Sequence, residues 1–417
     1  MEDVSLIDLV SGISTALDYV SPTVTGHHRR VGMASVVMGN HFGIGSPSIL
    51  DLLLAGLMHD IGAFSLDAVL DGLSFDSTLT EHAAVGHRLL KDHPFLERPS
   101  RMIKYHHTNW EDLQAVRSEE DREVLLMSNI LNLADRVDIL RNAERKGHTR
   151  EEVQAIVAGY GAELYAPEIL FAFEELSQSG LFWPLMENMS TPVKNVLGQD
   201  LLEVRITPDQ LVEFSHFFSH IIDFRSRHTA THSLGVAETA VQLAKLACMD
   251  EQEQKCMRLA ANLHDIGKLS VPVALLDKPA ALDEQEYARM QDHALVCEKV
   301  LRALPGLGEV ADWACQHHER LNGKGYPHGL NAGQLSLGSR ILQVADVHTA
   351  ITEDRPYRSG MNKESAIAVL QSMAKQGFLD RDIVGLVIEN HDRIDAIRRI
   401  VQVRALSDFK KFTSLDQ

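Results

Sequence analysis

The chain has 417 residues, too many for one compact core and close to what two domains of about 200 residues require. Hydrophobic residues at 45% and charged residues at 24% are ordinary for a globular protein, and no apolar run approaches the ~18 residues of a membrane-spanning helix, so a membrane partner is not expected. A formal net charge of −18 argues against a general DNA- or RNA-binding surface, which rests on Lys and Arg neutralising phosphates; a small anionic substrate stays compatible if metals and local cations supply a positive field.

In chain order, the opening Met1-Glu2-Asp3-Val4-Ser5 is acidic where a signal peptide is basic, so the expected location is the cytoplasm. Ile49, Leu50, Leu53, Leu54, Leu57 and Met58 recur at helical spacing. Residues 190–200 contain Pro and Gly and read as a linker between domains expected at 1–195 and 200–417. A new helix is expected from Thr207-Pro208-Asp209, and Leu234, Val236, Ala237, Ala240, Leu243, Ala244 and Leu246 again follow a helical period. Gly and Pro gather between Leu321 and Gly338, where a loop is expected. Alternating strand-like runs are scarce, which makes the expected fold class all-α. Cys248, Cys256, Cys297 and Cys315 lack the close pairing of a zinc ribbon or redox motif and are expected to be reduced core or surface thiols.

The two halves repeat. His27, His59-Asp60, His82, His106-His107 and Asp135 align with His232, His264-Asp265, His293, His317-His318 and Asp346. The spacing from the first His to the His-Asp pair is 32 in both halves, from the single His to the double His 24, and from the second His of that pair to the last Asp 28. The remaining interval, 23 against 29, reads as a loop insertion. Local contexts agree: Leu57-Met58-His59-Asp60-Ile61-Gly62 matches Asn262-Leu263-His264-Asp265-Ile266-Gly267. The domains are therefore expected to be duplicates of one helical bundle.

An adjacent His-Asp on a helix can offer a bridging carboxylate and a terminal imidazole to neighbouring metals, and His residues from facing helices can close such a site inside a bundle. A set of nitrogen and oxygen donors without thiolate suits iron or manganese, with zinc, nickel and cobalt less favoured. A lone His is usually structural; seven ligand-type residues at matched intervals in two halves point to metal.

Residues 205 to 405 resemble the HD-GYP phosphodiesterases of the wider HD superfamily. The resemblance rests on His264-Asp265-Ile266-Gly267-Lys268, on His317-His318-Glu319 through Gly325-Tyr326-Pro327, and on Ala345-Asp346-Val347 with Asp354-Arg355-Pro356-Tyr357-Arg358. It implies two tandem HD-type bundles and a metal-dependent hydrolysis that opens a cyclic dinucleotide, c-di-GMP or 3′3′-cGAMP. It also implies two divalent transition metals held by His232, His264, Asp265, His293, His317, His318 and Asp346, with Asp265 bridging. Water activated between two cations would attack phosphorus. Lys268 would hold that water or a phosphate oxygen; Lys324, Gly325, Tyr326, Arg355 and Arg358 would contact substrate. Where trinuclear members carry a Glu, this chain has His228, which leaves a third ion open.

The first half keeps the full ligand set, His27, His59, Asp60, His82, His106, His107 and Asp135, but Ala63 replaces the Lys and no Gly-Tyr-Pro follows His107. Clustered His and Asp are costly to bury without metal, so their retention points to a second metal centre with a different substrate. The wider superfamily includes nucleotidases, and the linear product of ring opening bears a terminal phosphate; Arg141, Arg145 and Lys146 are candidates to bind it. The alternatives are a c-di-GMP-specific phosphodiesterase with a regulatory first domain, and a cyclic-dinucleotide receptor or scaffold. A homodimer is compatible with the sequence and not specified by it.

Overall fold

A computed structural model describes residues 3–18, 25–65, 80–116, 120–142, 147–180, 182–187, 193, 197–198, 201, 203–224, 231–278, 280–304, 306–354 and 359–414. Helices dominate, and the sheet among the described residues is a two-residue ladder pairing Val4–Ser5 with Arg205–Ile206. The all-α expectation therefore holds. Contacts divide the chain into two compact units, Ser5–Arg205 and Ile206–Gln417 with Met1–Val4.

The first unit contains α1 (Leu6–Asp18), α2 (His27–His41), α3 (Ser46–Met58), α4 (Thr80–Leu90), α5 (Glu97–Tyr105), α6 (Trp110–Ala115), α7 (Arg122–Asn142), α8 (Arg150–Ala158), α9 (Pro167–Gln178) and α10 (Phe182–Glu187). The periodic run from Ile49 to Met58 is α3, with Pro47 in its first turn. Its Leu52, Leu53, Leu54 and Leu57 are buried; each such side chain stabilises by about 1.5–3 kcal/mol. Helices α2 and α7 pack together, and α7 also packs on α5. Because α7 is buried around most of its circumference, it can carry Asp135 into the interior.

In the second unit are α11 (Pro208–Phe224), α12 (His232–Leu246), α13 (Glu251–Leu263), α14 (Val273–Leu276), α15 (Glu284–Arg302), α16 (Gly308–Cys315), α17 (Leu337–Thr352), α18 (Lys363–Lys375), α19 (Arg381–Glu389) and α20 (His391–Ser414). Helix α11 starts at Pro208 as expected, with Gln210 folded back onto Thr207. Asp250 with Glu253 and Asp283 with Glu286 form capping boxes that fix where α13 and α15 begin; an acidic N-cap contributes ~1 kcal/mol. Helix α12 packs on α13, α17 and α20, and α15 packs on α16. The four thiols are free; Cys248 is exposed and the others are buried.

Candidate metal centres

The second unit assembles its cluster from helix ends. Helix α13 stops at Leu263 with His264 as its C-cap, and a 3₁₀ turn, Ile266–Ser270, follows Asp265. That turn packs on α15. It can do so because residue 267 is Gly: a Cβ there would sit 1.8 Å from the carbonyl oxygen of His293. In the first unit a Cβ on Gly62 would sit 2.0 Å from the carbonyl oxygen of His82. The same close approach in both halves brings the His-Asp pair to the helix that carries the next His.

The ligand atoms converge. His232, His264 and Asp346 form one group, His264, Asp265 and His317 a second, and His293, His317 and His318 a third, with the atoms of each group within 4.8 Å of one another. Asp265 divides its oxygens: Oδ2 lies 3.2 Å from His264 Nε2, and Oδ1 lies 3.7 Å from His293 Nε2 and 3.9 Å from His317 Nε2. Lys268 Nζ donates to Oδ2 at 2.6 Å. A carboxylate whose two oxygens face two groups of imidazoles is placed to bridge two cations.

The outward ring nitrogens are anchored. Nδ1 of His264, His293 and His317 donates at 2.6 Å to the carbonyls of Ala261, Met290 and Ala314, three residues earlier in each case. His232 Nδ1 donates to Glu353 at 3.1 and 3.2 Å. These acceptors put the ring proton on Nδ1 and leave the Nε2 lone pair facing inward, the tautomer a metal ligand needs. Nε2 of His264, His293 and His317, together with Asp265 Oδ1, is buried without a hydrogen-bond partner. Buried polar atoms are otherwise costly, so this convergent donor set fits divalent metal.

Burial opposes a charge on His232, but the Glu353 and Asp346 carboxylates overcome it and hold its pKa up to about 10, so its Nε2 carries a proton toward Asp346 until a cation takes that proton's place. Burial, then the charge of His264, pushes His317 down to about 3. Burial also lowers His293 and His318, so the imidazoles nearest the Gly-Tyr-Pro loop are neutral donors. Burial would raise Asp265, but His264 and Lys268 hold it well below the usual carboxylate range.

The Gly-Tyr-Pro loop is tied to the site through Glu319, buried beneath it. Its two oxygens accept the His328 and Leu330 amides at 2.7 and 2.8 Å. A Cβ on Gly325 would fall 2.4 Å from Glu319 Cα, so only Gly lets the loop pass that close. Tyr326 N donates to the His318 carbonyl at 3.2 Å, and its ring lies 4.7 Å from the His318 ring. Lys324 is exposed on the same loop.

The first unit repeats the arrangement. His27, His59 and Asp135 form one group, and Asp60, His82, His106 and His107 another, with the atoms of each within 4.8 Å. Asp60 again divides its oxygens: Oδ2 is 3.3 Å from His59 Nε2, and Oδ1 is 3.3 Å from His82 Nε2. His59 and His106 donate through Nδ1 to the Gly56 and Ile103 carbonyls at 2.9 and 2.6 Å. Burial opposes charge on His59, but Asp60 and Asp135 raise its pKa to about 9.

Arg355, Arg358, His228, Arg145 and Lys146 lie outside the described residues. Arg141 is engaged by Glu187 at 3.0 Å and donates to the His148 carbonyl, which weakens its candidacy for binding phosphate. Two carboxylates outside the repeated intervals hold the first His of each set. Asp138 accepts from His27 Nδ1 at 2.8 Å and from Arg30 at 2.6 and 3.0 Å, and Glu353 accepts from His232. Asp138, one helical turn beyond Asp135, was findable on the same helix face; Glu353 follows the end of α17, where no period leads to it. Glu353→Gln is expected to weaken cation binding by about 10- to 100-fold, read by competing the full chain against a chelator for manganese. An unchanged affinity would show that His232 needs no such partner.

Comparison with known proteins places these geometries. Residues 24–140 and residues 216–383 each match the HD domain. The chain is 28% identical over 390 residues to the 3′3′-cGAMP-specific phosphodiesterase 1 of Vibrio cholerae, covering 91% of this chain and 90% of the relative. It is 38% identical over 143 residues to a cyclic di-GMP phosphodiesterase of Pseudomonas aeruginosa, 34% of each. A crystal structure of a cyclic GMP-AMP-specific phosphodiesterase from V. cholerae shares the fold with a TM-score of 0.66 at 22% identity, covering 97% of this chain and 98% of that one. The chain carries two HD domains in tandem.

Proposed function

We propose that the second domain opens a 3′3′-cyclic dinucleotide to its linear form by metal-dependent hydrolysis, and that 3′3′-cGAMP is the preferred substrate. The observation that carries the reading is the convergence of seven ligand-type residues on the divided carboxylate of Asp265, beside Lys268 and the Tyr326 loop. Similarity to the 3′3′-cGAMP-specific relative runs through both domains, whereas the cyclic di-GMP relative matches about a third of the chain, which favours 3′3′-cGAMP over c-di-GMP.

His232, His264, Asp265, His293, His317, His318 and Asp346 would hold two divalent metals, iron or manganese by donor type. When bound, such cations activate water and neutralise charge developing on a phosphoryl group. Lys268, held at 2.6 Å from Asp265 and part-exposed, orients the water or a phosphate oxygen. Tyr326 offers a ring face to a base, Lys324 and Gly325 line the approach, and Arg355 and Arg358 bind phosphate. An intact ligand set with Lys268 favours an enzyme over a receptor, which needs neither.

Lys268→Ala is expected to lower turnover by about 10²–10³-fold, as for loss of one electrostatic donor, with metal content unchanged. Steady-state rates and elemental analysis of the same preparation test this. Wild-type turnover in that variant would remove Lys268 from the reaction. A lost rate with lost metal would make it a support of Asp265 instead.

In the first domain, the matching cluster without Lys or Gly-Tyr-Pro holds a second metal centre that removes the terminal phosphate from the linear product. The neutral Ala63 and the lack of a Gly-Tyr-Pro motif after His107 suit a small phosphomonoester end better than a cyclic dinucleotide.

A further inference from the structure

One histidine in the first domain shares the geometry of the ligands but has no counterpart in the repeat. His27, His59 and His106, like His232, His264, His293 and His317, donate through Nδ1 to a carboxylate or carbonyl and turn Nε2 inward. His28 does the same. Its ring is fully buried, and Nδ1 lies 3.2 Å from Asp18 Oδ1. Asp18 is itself fixed, because its Oδ2 accepts the Gly26 amide at 2.8 Å. A carboxylate can only accept, so the His28 proton sits on Nδ1 and its lone pair on Nε2.

That Nε2 is 3.8 Å from Asp60 Oδ2, the oxygen also approached by His27 Nε2 at 3.6 Å and His59 Nε2 at 3.3 Å. The ring centroids of His27 and His59 are 5.3 and 5.4 Å away. At the matched position the second domain has Ser233, and its Asp265 Oδ2 receives Lys268 instead. The first domain has Ala63 in place of that Lys. The group facing Oδ2 of the central carboxylate thus differs: an ammonium donor in one domain, an imidazole lone pair in the other.

We propose that His28 is a further metal ligand of the first domain, joining His27, His59 and Asp135 on the Oδ2 side of Asp60, with Asp18 as its positioning residue. The cation on that side has one more protein donor than its counterpart in the second domain and correspondingly fewer positions for water or substrate. Exchange with substrate then falls to the cation held by His82, His106 and His107. This rests on the reading of the first domain as a metal centre.

The test uses the full chain carrying His264→Ala and Asp265→Ala, so that cobalt(II) reports on the first domain. Stoichiometry, affinity by chelator competition and the visible cobalt spectrum are compared with and without His28→Ser, which installs the residue that the second domain tolerates at the same place. The expected result is one cobalt ion weakened by about 100-fold or more, with an altered visible band and an unchanged circular dichroism spectrum. Asp18→Asn, which keeps the imidazole, is expected to weaken the same ion by about 10- to 100-fold. Cobalt bound with unchanged affinity and spectrum in His28→Ser overturns the assignment of His28 alone. Absence of cobalt from the parent background overturns the first-domain metal centre and this proposal with it.

Discussion

Asp265→Ala is expected to abolish opening of the cyclic dinucleotide and to strip metal from the second domain. Its two oxygens face His264 on one side and His293 and His317 on the other, so it joins the two groups. Removing it deletes a donor to both cations and the negative charge that balances them. Residues that merely orient a metal ligand cost about 10- to 100-fold when changed, so loss of a bridging ligand should exceed that, to on the order of 10³-fold or more. The variant also removes the carboxylate to which Lys268 donates, beside buried imidazoles, so folding must be checked by circular dichroism. Near-normal turnover by a folded, metal-depleted Asp265→Ala protein would sink the two-metal reading.

His59→Ala combined with Asp60→Ala is expected to let the linear dinucleotide phosphate accumulate while ring opening continues. The substitutions remove the divided carboxylate and one imidazole of the first-domain cluster and leave the second domain's residues unchanged. Release of inorganic phosphate should fall by on the order of 100-fold or more, since a bridging carboxylate is lost. The reciprocal arm sharpens the result: Asp265→Ala protein supplied with the linear dinucleotide should still release phosphate. A first domain that only regulates predicts no phosphate from the unmodified protein at all. Phosphate at the unmodified rate from the His59→Ala, Asp60→Ala protein would place that step elsewhere.

Much of this was legible without coordinates because metal sites constrain sequence unusually tightly. Ligands from different helices must meet at one point, so helix lengths and the turns between them are held, and the intervals of 32, 24 and 28 persist in both halves. The glycine after the His-Asp pair was visible as a motif, but its cause needed geometry: the carbonyls of His82 and His293 leave no room for a Cβ. What escaped was the set of partners without a conserved register between the halves. Asp138 sits three residues past Asp135, whereas Glu353 sits seven past Asp346, so aligning the repeats hides both. Asp18 and His28 escaped for the same reason, because Ser233 interrupts the match. Glu319 belongs to a motif visible in the sequence, yet its burial under the loop and its two amide contacts appear only in three dimensions.

The most direct test of the central claim is product chromatography after metal-stripped and iron- or manganese-reconstituted full-length protein is given 3′3′-cGAMP and c-di-GMP separately. The account predicts no turnover without metal, and with metal conversion of 3′3′-cGAMP to its linear dinucleotide faster than c-di-GMP. Intact substrate in every reconstituted sample, or equal turnover with and without metal, would contradict it.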